Sequence, residues 1–221
     1  MKKTKNDTLR QPELPERLVA ASGPDALLCD EEVAATNFVG ADFGATAVEH
    51  LFVRESAFGG CRFAGCSVRN SHFTDVLFRG CDFAAADLRG CSWQRVAFVD
   101  CRFSGADLSG AAMRDVVFER PKAEGMSLFG SRFRGVRFEQ GMLRDAAFEE
   151  CRVERLEFVR CDLARAAFFG TRLGGVSLAG SEIGGIRVTA IASPELQGMR
   201  IDRAQALDLA ALLGVEIEEV P

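Results

Sequence analysis

The residues that could carry catalysis or bind a metal are few and scattered. The chain has two histidines, His50 and His72, and neither is paired with a nucleophile or belongs to a metal-ligand cluster. Cys61 and Cys66 have the spacing of some metal-binding pairs, but no further His or Cys follows at ligand spacing. No glycine-rich phosphate loop precedes a helix. These observations predict a protein that is not an enzyme, with no catalytic residue, no metal site and no cofactor.

A five-residue repeat organises the chain instead. From Phe38 to Val188 every fifth position holds a large apolar residue in 30 of 31 cases, and Ala123 is the exception. The position two before it is small or branched, as at Cys61 and Ala86, and the other three are mostly polar, charged or Gly. A period of five fits neither an isolated helix nor an ordinary strand. It indicates a coil in which equivalent residues stack into one continuous core.

A second period of twenty residues gives the length of one turn. At this spacing, phenylalanine recurs seven times before Leu178, at Phe38, Phe58, Phe78, Phe98, Phe118, Phe138 and Phe158. Similar side chains therefore return after four units, which predicts a turn of four short strands. Six of the eight cysteines share two such columns, where they alternate with other small residues. We interpret them as reduced thiols that fill the core, and disulfides between neighbours on a column are the alternative.

This repeat resembles that of the pentapeptide repeat family over about residues 36–190. The resemblance implies an all-β solenoid, a right-handed quadrilateral β-helix. At a strand spacing of ~4.8 Å, the 31 units make about 7.75 coils and a rod roughly 37 Å long. Pro121 and Ala123 depart from the pattern. We expect a local bulge or bend there, and a kink that shapes a partner surface is the alternative.

Changes in composition divide the chain into three parts. Residues 1–25 are polar and contain three prolines, so we predict a flexible N-terminal tail. Residues 26–190 form the β-helix, and residues 15–35 cover its first coil. Residues 191–221 break the period and form a C-terminal cap. No stretch approaches the ~18 apolar residues of a membrane span and the start lacks a signal-peptide run, so we expect no membrane contact and a cytoplasmic protein.

The C-terminal segment is more apolar than a cap alone requires. A helix is predicted between an N-cap at Asp202 and a stop at Gly214, with Ala and Leu on nearly every side. One side covers the last coil, and a symmetric dimer would cover the remainder. Capping without a dimer is the alternative. The predicted dimer contacts are Leu209, Leu212, Leu213, Val215 and Ile217.

The same segment is similar to the C-terminal caps of the quinolone-resistance pentapeptide proteins. The similar residues are Ile-Asp-Arg-Ala-Gln-Ala at 201–206 and Leu-Leu-Gly-Val-Glu-Ile at 212–217. The resemblance implies a homodimer shaped like duplex DNA that binds DNA gyrase or topoisomerase IV and protects it from quinolones or other toxins. Several proteins of this kind insert loops into their coils. The unbroken register here predicts none, as in the mycobacterial type.

Charge provides a test of DNA mimicry, which needs an anionic surface. The chain has a net charge of −5, but residues 36–190 carry 20 Arg and Lys against 19 Asp and Glu, or +1. Residues 1–35 carry −2 and residues 191–221 carry −4, so the acidity lies at the ends. Opposite charges also alternate along one column, which predicts a ladder of ion pairs over Asp42, Arg62, Asp82 and Arg102.

Arginines and apolar residues on the outside of the coil are the candidates for partner contact. The arginine column consists of Arg132, Arg152 and Arg172, with Arg95, Arg114, Arg134 and Arg155 beside it. It could bind an acidic partner or a nucleic acid, although no aromatic residues interleave to stack on bases. The apolar candidates are Leu77, Ala97, Val99, Val117 and Val159 on one face, and Phe129 and Phe169 on another.

An N-terminal segment lying over one apolar group is the alternative to an open surface. Together these features predict a non-enzymatic module that binds another protein, in its most specific version DNA gyrase or topoisomerase IV. A scaffold for an unrelated protein and a nucleic-acid binder that uses the arginine column are the alternatives.

Overall fold

Side chains twenty residues apart stack on one another in the computed structural model, which describes residues 9–21, 23, 32–190, 193–212 and 215. Phe58, Phe78 and Phe98 are paired in register on parallel strands, and the column continues to Phe118 and Phe138. The chain therefore forms a β-solenoid of about seven turns. The β-helix predicted from the sequence is confirmed.

The strands lie on the coil as follows: β1 Val19–Ala21, β2 Glu32–Ala34, β3 Thr36–Val39, β4 Ala47–Glu49, β5 Phe52–Gly59, β6 Ser67–Arg69, β7 His72–Arg79, β8 Ser92–Val99, β9 Ala112–Glu119, β10 Arg132–Glu139 and β11 Arg152–Val159. The helix α1 spans Gln205–Leu212. Within the described ranges, one parallel sheet has the order β1-β3-β5-β7-β8-β9-β10-β11, with β2 also beside β5. A second sheet pairs β4 with β6. Single parallel bridges such as Asp42 to Arg62 connect the other walls.

The corners of the coil use residues with left-handed backbone geometry. These residues recur every five positions, and one corner contains Asp75 (φ 56°), Arg95 (φ 51°) and Asp115 (φ 54°). Glycine takes this conformation most easily, and it does so at Gly135 (φ 86°). A Cβ atom added there would lie 2.9 Å from Cδ2 of Leu9. The missing side chain therefore leaves room for the N-terminal segment.

The aromatic packing of the core changes at Ala123. Before it, Phe98 meets Phe103 on the adjacent wall, with ring centroids 5.1 Å apart and an interplanar angle of 84°. After it, Phe138 meets Phe148 on the opposite wall at 5.6 Å and 89°. One wall loses an aromatic ring and another gains one, so the core stays filled.

The expected bulge at Ala123 is absent from the strand pairing of that coil. Lys122 bridges to Arg102 on one side and to Met142 on the other, both at the twenty-residue spacing. The register shift lies instead between β10 and β11, where Arg134 pairs with Arg155. The expected bulge is therefore wrong for this wall, because its backbone pairing keeps the register despite the small side chain, and a bend of the rod stays a prediction.

The N-terminal residues 9–21 run along the outside of the coil, which differs from the flexible tail expected over residues 1–25. β1 pairs with β3, from Val19 beside Thr36 to Ala21 beside Phe38. Leu9 is only 6% exposed. The buried Leu9 and the pairing of β1 with β3 therefore hold the segment on the coil, whereas Val19 stays exposed.

The C-terminal end of the coil is closed by a capping box. The N–H of Gln205 donates to Oδ1 of Asp202 at 3.1 Å, and the N–H of Asp202 donates to Oε1 of Gln205 at 3.0 Å. Nε2 of Gln205 also donates to the carbonyl oxygens of Leu178 (2.6 Å) and Ser181 (2.5 Å) in the last coil. Asp202 is therefore the N-cap, as predicted. Within the residues that the structure describes, no helix is long and apolar enough to cross a membrane.

Candidate functional site

The apolar strip on the Phe wall is covered by the N-terminal segment. Leu77, Ala97 and Val117 pair side by side on β7, β8 and β9. Together with Leu9 and Leu14 they line a cavity of about 410 Å³. Ala97 is therefore only 6% exposed, and the neighbouring Val99 only 7%. The sequence left open whether this strip is a free surface or a covered one, and the geometry favours the covered form.

Polar contacts fix the N-terminal segment beside this strip. The N–H of Glu13 donates to Oδ1 of Asp75 at 3.0 Å, and Arg95 donates to both oxygens of the same carboxylate at 2.7 and 2.5 Å. Burial raises the pKa of Asp75, but the hydrogen bonds from Arg95 and Glu13 outweigh it and leave the pKa below its usual value. Two coils further on, Arg155 reaches Asp115 at 3.3 Å across Gly135. The corner column is thus an ion-pair ladder.

The two phenylalanines on the third wall do not form a continuous patch. Phe129 is 50% exposed, whereas Phe169 is half-buried. The coil between them places Glu149 at the equivalent position. Phe129 is therefore an isolated apolar contact point, and both residues remain candidates as separate sites.

The structure brings four of the predicted arginines around one shallow depression. Arg132 pairs with Arg152, and Arg114 pairs with Arg134, on β9, β10 and β11. These four residues line a depression of about 510 Å³, with Trp93 in its lining. Arg172 is exposed in the next coil of the same column. We call these five arginines the arginine patch.

Most of the arginine patch has no compensating carboxylate. Arg134 pairs with Glu154 at 2.8 Å. Within the part of the chain that the structure describes, Arg114, Arg132, Arg152 and Arg172 have no Asp or Glu oxygen within 4.0 Å. Neighbouring positive charges one strand apart repel each other, so the patch favours a bound anionic group.

A ladder of ion pairs was predicted over Asp42, Arg62, Asp82 and Arg102. In the described coils only its first pair forms. Arg62 and Asp42 are 3.0 Å apart. Other arginines pair across neighbouring coils, as Arg120 does with Asp100 at 2.7 Å. Such pairs are exposed and contribute little stability each.

The C-terminal residues predicted to form a dimer are only partly described. Leu209 is half-buried and packs against the core. Val215 is 51% exposed, and Leu207 on α1 is 56% exposed. Only the backbone of Leu212 is described, and Leu213 and Ile217 lie outside the described residues.

The coil geometry agrees with a comparison of the sequence with known families. A model of the pentapeptide repeat region matches residues 71–147 and 91–168. The chain belongs to the pentapeptide repeat family. A comparison of this pentapeptide repeat protein with curated proteins gives no match.

Solved structures similar to this pentapeptide repeat protein come from several sources. Full-length QnrB1, a plasmid-mediated fluoroquinolone resistance protein, is 22% identical, with a TM-score of 0.44 over 90% of this chain and 99% of that one. HetL, from the cyanobacterium Nostoc and involved in regulating heterocyst differentiation, is 16% identical, with a TM-score of 0.26 over 76% and 86%. A protein of the Arabidopsis thaliana thylakoid lumen is 23% identical, with a TM-score of 0.29 over 53% and 72%.

The described thiols are buried in the coil, and one of the two histidines stacks on an aromatic ring. Sγ of Cys91 donates to the carbonyl oxygen of Val68 at 3.1 Å, and burial raises the pKa of this thiol to about 12. His72 stacks on Phe52 with ring centroids 4.8 Å apart. Among the described residues, no group of three His, Cys, Asp or Glu side chains could hold a metal ion.

Sequence reasoning missed the corner ladder beneath the N-terminal segment, and it left the docking of that segment open as an alternative. A signal was present for the ladder, because Asp75, Arg95, Asp115 and Arg155 fall on one column of the twenty-residue period. The signal for docking was weaker. It consisted of a few leucines, among them Leu9 and Leu14, between polar residues.

Proposed function

We propose that this pentapeptide repeat protein is a non-enzymatic module that binds another protein. We further propose that the partner is DNA gyrase or topoisomerase IV, in the cytoplasm, and that binding protects the enzyme from quinolones or other toxins that target it. The binding-competent form is a homodimer joined through the C-terminal segment.

The observation that carries this proposal is the closure of the coil by the residues that resemble the quinolone-resistance caps. Asp202 and Gln205 lie in the similar stretch 201–206, and they form the capping box. Gln205 also holds α1 to the last coil. The cap presents Leu207 and Val215 outward. Exposed apolar side chains at the end of a rod support an end-to-end dimer, which would be about twice as long as one coil.

The distribution of charge supports a specific arrangement of that dimer. The coil is nearly neutral, whereas residues 191–221 carry −4. A dimer through these segments brings two of them together, so its centre carries twice −4, or −8. We infer that this acidic centre, rather than the walls of the rod, takes the place of DNA on the enzyme.

A supercoiling assay tests the proposal. Purified gyrase, relaxed plasmid, ATP and an inhibitory amount of a quinolone are mixed with increasing amounts of the protein. We expect supercoiling to return, and to be inhibited at higher protein concentrations when the quinolone is omitted. The variant Val215→Asp should lose both effects, and Val39→Asp, at an even more exposed apolar site of β3, should keep them. If the protein gives no rescue and no inhibition over a wide concentration range, gyrase is rejected as the partner. A decatenation assay then tests topoisomerase IV in the same way.

The arginine patch favours a second candidate function, which is nucleic-acid binding. If four arginines contact phosphates, the logarithm of the binding constant should fall with the logarithm of salt with a slope of about −3.6. Labelled duplex DNA is shifted in a gel at several salt concentrations, and Arg152→Glu is compared with Arg62→Glu. No shift, or equal shifts for the two variants, would exclude the patch as a nucleic-acid site.

A further inference from the structure

One backbone hydrogen bond recurs at a corner of each coil. The N–H at that corner donates to the carbonyl oxygen nineteen residues later, at 2.8–2.9 Å, in the pairs Gly80–Val99, Asp100–Glu119, Arg120–Glu139 and Gln140–Val159. This bond joins each coil to the next one. The equivalent bond from Arg160 to Ala179 is absent from this part of the described chain.

The gap extends along the whole of β11. No backbone hydrogen bond joins β11 to residues 172–179, all of which are described. Residues 172–179 pair with the following coil instead, since Gly175 donates to Gly198 at 2.9 Å and Leu178 donates to Arg200 at 2.9 Å. β11 is therefore the edge strand of the large sheet, although it lies in the body of the rod.

Contacts at both ends of β11 limit the gap. The N–H of Cys151 donates to Oγ1 of Thr171 at 2.8 Å, and the N–H of Cys161 donates to Oγ of Ser181 at 3.1 Å. Between these points lies a cleft of about 800 Å³. Gly174 and Gly175 form part of its far side and add no side chains to fill it. The coil is closed on two walls and open on the other two.

The cleft has an apolar floor. Leu156 and Phe158 line it and are each 4% exposed, whereas Val136 and Phe138 at the same positions of the preceding coil are 0% exposed. Val176 completes the floor from the other side. Solvent therefore reaches these apolar core side chains more than those at the same positions of the described coils before them.

The rim of the cleft is mainly basic. Arg137, Arg155, Arg160 and Arg200 line it, against the acidic Glu154 and Glu157. The sum of these six charges is +2, and Arg155 and Arg160 also pair with Asp115 and Glu139 outside the lining. A ligand with negative side chains is complementary to this rim.

We propose that the cleft binds an extended strand of a partner protein in which acidic side chains alternate with apolar ones. An unpaired strand edge offers a row of N–H and C=O groups to another strand, and strand addition is a common mode of peptide recognition. Successive side chains of the bound strand point to opposite faces, so apolar ones can meet the floor while acidic ones meet the arginines. The eight residues of β11 provide an edge about 26 Å long. This site is separate from the C-terminal face, so it does not depend on gyrase being the partner.

Peptide binding to the full-length chain tests the proposal. The probe is a fluorescein-labelled ten-residue peptide of alternating Glu and Val, and binding is followed by fluorescence anisotropy. A second peptide replaces two Val residues by Pro, which removes two N–H donors without changing the charge. A third replaces every Glu by Lys. We expect saturable binding of the first, affinity lower by at least about tenfold for the second, and no binding of the third.

Matched variants locate the binding site. Arg160→Glu reverses a charge on the rim, and Arg62→Glu reverses one on a distant wall; each arginine is exposed and pairs with a single carboxylate. Affinity should fall for the first variant and stay unchanged for the second. Amide hydrogen exchange of the free protein should be faster in β11 than in β10, and the peptide should slow it. Absence of binding, equal binding of the Lys peptide, equal affinity of the two variants, or β11 amides already as protected as those of β10 would each overturn the proposal.

Discussion

Replacing Phe98 by Ala removes the centre of the aromatic stack. The ring is fully buried, and its centroid lies 5.0 Å from that of Phe78 and 4.8 Å from that of Phe118. It also meets Trp93 at 5.3 Å and Phe103 at 5.1 Å with steep interplanar angles. No neighbouring coil can relax into the space without breaking its own register, so a cavity must remain.

The expected loss follows from these contacts. A buried Phe→Ala substitution costs about 3–5 kcal/mol, and each favourable aromatic pair adds about 0.5–1.5 kcal/mol. Phe83 is a fifth aromatic neighbour, with its ring centroid 5.9 Å away. With five such neighbours, we expect a value at the upper end of the first range, about 5 kcal/mol. This corresponds to roughly three to four powers of ten in the unfolding equilibrium constant. Phe129→Ala removes the same side chain from a site that is 50% exposed and should change stability by only about 0.5 kcal/mol.

Urea unfolding of both variants provides the measurement. Fluorescence of Trp93, the single tryptophan, reports on the coil that contains Phe98, and far-UV circular dichroism reports on the whole chain. A loss below about 1 kcal/mol for Phe98→Ala, or equal losses for the two variants, would refute the stacked core as the main source of stability.

Four further predictions concern the ends of the rod and the segment along it. Leu9→Ala should speed trypsin cleavage within the N-terminal segment roughly tenfold, because the burial of one Leu side chain holds that segment in place. Asp75→Asn should lower the free energy of unfolding by about 1–3 kcal/mol at pH 7. The pKa of the Asp75 carboxyl is lowered in the folded state, so its contribution is present above its unfolded pKa and is lost as the pH falls through the folded pKa. Urea unfolding curves of the wild type and the variant should therefore converge in acid. Gln205→Ala loses two hydrogen bonds to the last coil and should cost about 1–3 kcal/mol in the same assay, with faster amide exchange at that end. Val215→Asp should yield a monomer in light scattering while Val39→Asp keeps the wild-type mass, and an unchanged mass for Val215→Asp would argue against the C-terminal contact.

Much of the fold was predictable from the sequence because the repeat specifies it locally and often. Each unit places one large and one small side chain inward, so a single misplaced residue such as Ala123 cannot change the register. The N-cap at Asp202 was predictable for the same reason, since capping depends on residues three apart.

The features that sequence reasoning missed depend on contacts between distant parts of the chain. Leu9 lies at Gly135, and no periodicity connects a residue of the N-terminal segment with one in the fifth coil. The open edge of β11 is also invisible in the pattern, because residues 172–179 continue the repeat without a break. Their backbone pairs with the following coil instead, through residues far from β11 in the sequence.

Sedimentation velocity of the labelled protein with purified DNA gyrase tests the proposed function most directly. We predict that the protein moves with the enzyme, that added duplex DNA displaces it, and that Val215→Asp weakens the association. Two results would contradict the proposal that gyrase binds this protein in place of DNA. The protein would sediment alone at saturating enzyme, or it would bind equally well in the presence of excess DNA.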